Sequence, residues 1–190
     1  MKPKVKILQL ILTQGVLPLF YHEDFETSLE IITAMYRAGI RAVEYTNRGK
    51  AAIHNFRLLK EKTRECFPDL LLGIGTIKTI NEARRFIEAE SDFIVSPLID
   101  PRMSDYLNKE DLLWIPGAMT PTEIFNAQNC GALLIKIFPA NVVGPGFLSS
   151  IREVFPGQLF MVTGGAGYGK FKNLARIRYI NRWHGWSAHH

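Results

Sequence analysis

Lys136 stands inside an apolar run, Leu133-Leu134-Ile135-Lys136-Ile137-Phe138-Pro139, whose composition predicts a strand. Side chains alternate across a strand, so Lys136 shares one face with Leu134 and Phe138, while Ile135 and Ile137 take the other. Poor solvation on such a face lowers an amine's pKa from about 10.4 toward neutrality. A neutral amine can attack a ketone and form a Schiff base. The bland reading is a lysine that snorkels to solvent or neutralises a buried carboxylate. Val43-Glu44-Tyr45-Thr46 puts a carboxylate on another apolar strand. Glu44 either relays protons at a carbinolamine and a substrate hydroxyl, or pairs with Arg48 or Lys136 to satisfy the interior. Arg48 offers a planar fork to a substrate carboxylate. Thr163-Gly164-Gly165 reads as a phosphate cradle, because glycines let backbone N–H groups approach an anion, or as an ordinary glycine-rich turn. Metal chemistry has little support: His22, His54, His184, His189 and His190 show no ligand spacing, and Cys66 and Cys130 lie far apart.

These groups need a scaffold that brings distant strands to one mouth. Short β-branched runs at 16–21, 41–46, 71–76, 92–97, 112–117, 133–139 and 159–164 predict seven strands. Helical spacing separates them, over 25–38 and near 51–65, 79–90, 101–108, 121–129, 146–154 and 170–181. Thr79 begins a capping-box spacing to Glu82, and Pro121 after Thr120 suits a first helical turn. Nearly all-apolar strands, each followed by a helix, imply a parallel sheet covered on its outer face. The fold class is therefore α/β, a (β/α)₈ TIM barrel of minimal size with its eighth strand missing or irregular. An open doubly wound sheet is the alternative, but no first βα turn carries a dinucleotide fingerprint. In such a barrel chemistry gathers at the C-terminal strand ends, where Glu44, Thr46, Arg48, Thr76, Ser96, Pro97, Lys136 and Thr163 fall.

The chain has 190 residues, 47% of them hydrophobic and 22% charged, which suits one domain, 1–190, and excludes a disordered chain. Its net charge of +5 comes wholly from Lys170, Lys172, Arg176, Arg178 and Arg182, because no acidic residue follows Glu153. A neutral body with a basic tail at 166–190 is not the footprint of a nucleic-acid binder. The start, Lys2-Pro3-Lys4-Val5-Lys6 and then 7–12, predicts a short amphipathic helix covering one end of the domain rather than a secretory signal. No apolar run suits a membrane span. The expected location is the cytoplasm, in keeping with two unpartnered cysteines.

Six ordered motifs, Glu44-Tyr45-Thr46-Asn47-Arg48, Gly73-Ile74-Gly75-Thr76-Ile77, Phe93-Ile94-Val95-Ser96-Pro97, Ile115-Pro116-Gly117, Lys136-Ile137-Phe138-Pro139-Ala140 and Thr163-Gly164-Gly165, resemble the 2-keto-3-deoxy-6-phosphogluconate / 4-hydroxy-2-oxoglutarate aldolase family. The resemblance covers residues 14–165 or so. It implies a homotrimeric (β/α)₈ class I aldolase that acts on a small-molecule 2-keto acid without metal or organic cofactor. By that resemblance Lys136 forms the Schiff base and Glu44 is the acid/base. Arg48 and Thr76 hold the pyruvate carboxylate, Pro97 and Phe138 shape the pocket, and Thr163, Gly164 and Gly165 bind a distal phosphate. The sequence departs from the family pattern at Asn47, usually apolar, at Leu98, usually glycine, and after Gly165, where no convincing eighth strand is legible. Two other functions stay open on the residues: another phosphate-binding barrel lyase or synthase using Lys136 as a cation, and an inactive scaffold with a basic tail.

Overall fold

A computed structural model describes residues 3–164. The chain opens with helix α1 (Lys4–Gln14), which ends at Gly15 in the left-handed region, φ 79°. Strands and helices then alternate: β1 (Leu19–Phe20), α2 (Phe25–Arg37), β2 (Ala42–Thr46), α3 (Ala52–Cys66), β3 (Leu71–Gly75), α4 (Ile80–Glu88), β4 (Phe93–Val95) and α5 (Pro101–Lys109). The second half holds β5 (Leu113–Ile115), β6 (Gly117–Ala118), α6 (Pro121–Asn129), β7 (Leu134–Ile137), α7 (Ala140–Val143), α8 (Pro145–Val154) and β8 (Leu159–Val162). Four of the described helices, α2, α4, α5 and α6, start with a side-chain cap. Thr79 and Thr120 each form a reciprocal capping box, with Glu82 and Glu123, and Asp24 and Asp100 accept backbone N–H groups of α2 and α5.

Every strand pairing is parallel. The order is β1-β2-β3-β4-β5 in one ladder and β6-β7-β8 in the other. Only Pro116 separates β5 from β6. Proline has no N–H to give the ladder, while its carbonyl accepts from Lys136 N at 2.8 Å. The two segments are thus one stave of the wall, and the seven expected strands are present with the fifth broken at Pro116. Spatial order follows chain order without reversal, which rules out the doubly wound alternative. The resulting architecture is the (β/α)₈ barrel class. The irregular eighth strand, the basic tail at 166–190 and the helix near 170–181 lie outside the described residues.

Alternation sorts the side chains. Val43, Tyr45, Leu72, Ile74, Ile94 and Trp114 pack outward beneath the helices with Ile32, Phe56, Leu59 and Phe86. Inward, the strand-start residues Ala42, Leu71, Phe93, Leu113 and Leu134 form a layer closed by Ile7, Leu8 and Ile11 of α1. The predicted amphipathic helix therefore plugs the end of the barrel where the strands begin. Burying each of these large aliphatic side chains contributes about 1.5–3 kcal/mol. Polar interior residues are left for the opposite end.

Candidate active site

One residue pair further along β2 and β7, past the apolar layer, the interior faces carry Glu44 and Lys136. They are 1% and 6% exposed. Lys136 Nζ stands 4.0 Å from Glu44 Oε1 and 5.2 Å from the Phe138 ring centroid. Glu44 Oε2 is buried with no hydrogen-bond partner among the described residues. Burial pushes the Glu44 carboxyl up, against the downward pull of Lys136 and then Arg48. Burial likewise pulls the Lys136 ammonium down, opposed by Glu44 and assisted by Arg48. Desolvation outweighs attraction in both groups, so burial works against the charged form of each. The two open readings of Lys136 thus merge in one geometry: it sits beside a buried carboxylate, and that setting favours the nucleophilic state.

Room for this pair is made by glycine. Strand alternation turns Gly73 and Gly75 inward, in register with Glu44 and Thr46 on β2. A Cβ on Gly75 would collide with the Glu44 carboxylate, and one on Gly73 with the Phe93 ring. Both glycines belong to a motif that carries the family resemblance, but residue type alone gives them no role; the usable signal is glycine at lumen-facing positions of an otherwise large-residue strand.

The remaining expected residues ring the mouth. Arg48 is exposed on the loop after β2, its N–H donating to Thr46 O at 2.9 Å, and its charge acts on both Glu44 and Lys136. Thr46 is buried and donates through Oγ1 to Phe20 O at 3.3 Å. Thr76 follows β3 with φ 63°, a left-handed conformation that a β-branched residue adopts only under constraint. Pro97 is half-buried after β4 and packs where a Gly117 Cβ would stand. Ser96 does not belong to the mouth: it accepts from Trp114 Nε1 at 2.9 Å in the outer layer, as its place one residue after inward Val95 requires. Thr163 and Gly164 are laced to the start of α7, since Ala140 N donates to Thr163 O at 2.8 Å and Asn141 N to Gly164 O at 3.2 Å. Gly164 has φ 99°, and Gly165 lies outside the described residues. Helix α7, too short to read from periodicity, is what those two hydrogen bonds anchor. Among the described residues no three His, Cys, Asp or Glu side chains cluster to hold a metal ion.

Such an arrangement can form an imine and move protons beside it. Comparison with known proteins points the same way. A family model for KDPG and KHG aldolases matches residues 7–185, a span that continues beyond Gly165, where the legible motifs end. The 2-dehydro-3-deoxy-phosphogluconate aldolase of Treponema pallidum (strain Nichols) is 31% identical over 151 residues, 79% of this chain and 70% of that protein. The KDPG aldolase of Legionella pneumophila, with pyruvate captured at low pH as a covalent carbinolamine, superposes with a TM-score of 0.82 at 25% identity, covering 95% of this chain and 84% of its own. The 2-keto-3-deoxy-6-phosphogluconate aldolase of Zymomonas mobilis ZM4 with 3-phosphoglycerate gives a TM-score of 0.78 at 25% identity, covering 86% of this chain and 77% of its own.

Proposed function

The chain belongs to the KDPG and KHG aldolase family, and from that premise we propose a class I, Schiff-base aldolase that cleaves 2-keto-3-deoxy-6-phosphogluconate or a related 2-keto acid. The products are pyruvate and an aldehyde, glyceraldehyde 3-phosphate or glyoxylate. The observation that carries the reading is the buried Lys136–Glu44 pair, 4.0 Å apart with desolvation favouring the neutral form of each.

Lys136 Nζ adds to the C2 carbonyl to give a carbinolamine. The Glu44 carboxyl gives its proton to the departing hydroxyl, which leaves as water and creates the iminium. The Glu44 carboxylate then takes the proton of the C4 hydroxyl, the C3–C4 bond breaks, and its electrons flow into the iminium as the aldehyde departs. Glu44 returns the proton to C3 of the enamine, and water hydrolyses the imine to free pyruvate and Lys136. Arg48 and Thr76 grip the carboxylate, Pro97 and Phe138 form the wall beside the reacting carbons, and Thr163, Gly164 and Gly165 hold a distal phosphate. The bound 3-phosphoglycerate of the Zymomonas mobilis relative supports a phosphorylated substrate.

The enzyme works as a single catalytic domain, 1–190, assembled as a homotrimer in the cytoplasm. The assembly is supported by large apolar side chains left exposed, Leu98 after β4, Met119 after β6 and Phe125 on α6. The location is supported by two free thiols, Cys66 and Cys130. Among the described residues no helix is long and apolar enough to cross a membrane.

Incubation with pyruvate and borohydride should add one reduced adduct to the intact protein, mapped to Lys136. Lys136→Arg keeps the charge and cannot form the imine. An unmodified wild type, or an adduct that persists in Lys136→Arg, would refute the assignment.

A further inference from the structure

Asn47 follows β2 directly and belongs to neither the Lys136–Glu44 pair nor the carboxylate grip. Its backbone N–H donates to Gly75 O at 2.9 Å. Its side-chain Nδ2 donates to Glu82 Oε1 at 3.4 Å. The other oxygen of that carboxylate, Oε2, accepts from Lys78 N at 2.8 Å and Thr79 N at 3.0 Å, completing the cap of α4. One residue of the β2 loop is therefore tied to both ends of segment 75–79. Thr76 lies inside that segment at φ 63°, a conformation that costs about 1–3 kcal/mol and persists only where neighbouring contacts over-determine it. On the other side of the tie, Arg48 is the very next residue, and its own N–H turns back to Thr46 O at 2.9 Å.

We infer that Asn47 is a positioning residue that locks the Arg48 loop to the strained Thr76 turn through Glu82, fixing the separation of the two groups that grip the substrate carboxylate. The inference rests on the aldolase reading and deepens it. Asn47 touches no reacting atom. It sets how well a 2-oxo acid is held more than how fast the held substrate reacts, because the Lys136–Glu44 pair is placed by the strands themselves and Arg48 influences either group less than burial and the partner do.

The test follows borohydride trapping at Lys136 as a function of pyruvate concentration. Asn47→Leu keeps the γ-branched shape, adds some bulk and removes the donor. It should raise half-saturation by roughly threefold to tenfold, the effect of one hydrogen bond to a charged group weakened by exposure, and leave the limiting rate near wild type. Glu82→Ala removes the same tie together with the cap of α4, so it should raise half-saturation at least as much, and adding Asn47→Leu to it should change little further, because the tie is already broken. Acetone, a ketone without a carboxylate, should label wild type and Asn47→Leu at equal rates. Asn47→Ala, which removes the donor without adding a charge, replaces the leucine variant should that protein not fold. Wild type that is never trapped overturns the aldolase reading and this inference with it. Trapped wild type with an unchanged half-saturation in Asn47→Leu, or with a fallen limiting rate alone, overturns this inference and leaves the aldolase reading standing.

Discussion

In water a lysine and a glutamate 4.0 Å apart would both be charged; inside this barrel burial shifts Lys136 below its ordinary 10.5 and Glu44 above its ordinary 4.5. The sign of their coupling makes a prediction. The Glu44 carboxylate favours protonated Lys136, so Glu44→Gln removes an upward pull and lowers the Lys136 pKa further. The pH at which pyruvate trapping reaches half its maximal rate should therefore move to lower pH in Glu44→Gln. Turnover of the full substrate should fall by about 10²–10⁴-fold, the usual contribution of a positioned acid–base group. Rates of imine trapping across pH, beside steady-state cleavage, measure both effects. An alkaline shift, or near-normal cleavage, would show Glu44 to be structural. Much of this was legible in the sequence, because one lysine in an apolar strand and one glutamate in another leave few alternatives. What was not legible is the balance between attraction and desolvation, which depends on a distance and on an Oε2 that has no hydrogen-bond partner among the described residues.

Strand alternation explains which elements place these residues and where reading from residue type falls short. Ser96 lies beside the site in sequence yet faces Trp114 in the outer layer, since one step along a strand reverses the face. The fifth stave reads as one strand over 112–117, but Pro116 divides it into β5 and β6. Helix α7 has only four residues, fewer than a periodic pattern needs. The space around Glu44 belongs to β3: Gly75 faces inward at a φ that needs no glycine, so its lack of a side chain serves packing, not backbone conformation. Gly75→Ala should therefore keep the ladder with β2 and displace the Glu44 carboxylate. Thermal unfolding should change modestly while cleavage falls by at least about 10²-fold, the lower range for a lost proton relay. Equal losses in stability and activity, or neither, would contradict the assignment of Gly75 to making room for Glu44.

At the scale of the whole molecule, each chain carries its own reacting pair, since Glu44 and Lys136 come from two strands of one barrel. Assembly is thus not required to complete the acid–base centre, and the proposed trimer must answer to something else. Phe125 is 54% exposed on α6, with Met119 at 36% just before that helix and Leu98 at 39% on the neighbouring loop. Strand β6 and the loop after β4 are packed together, because a Cβ on Gly117 would strike the backbone of Pro97. Large apolar side chains exposed on these neighbouring elements are where the proposed assembly would bury surface. Phe125→Glu places a charge where a subunit contact would bury it, and an unpaired buried charge is strongly unfavourable. Light scattering should find the wild type at three copies of the 21.6 kDa chain and the variant shifted toward one. The Lys136 adduct should still form in the variant, because both partners of the pair remain in place. A wild-type monomer, or a Phe125→Glu protein that stays fully assembled, would exclude this surface as the trimer contact.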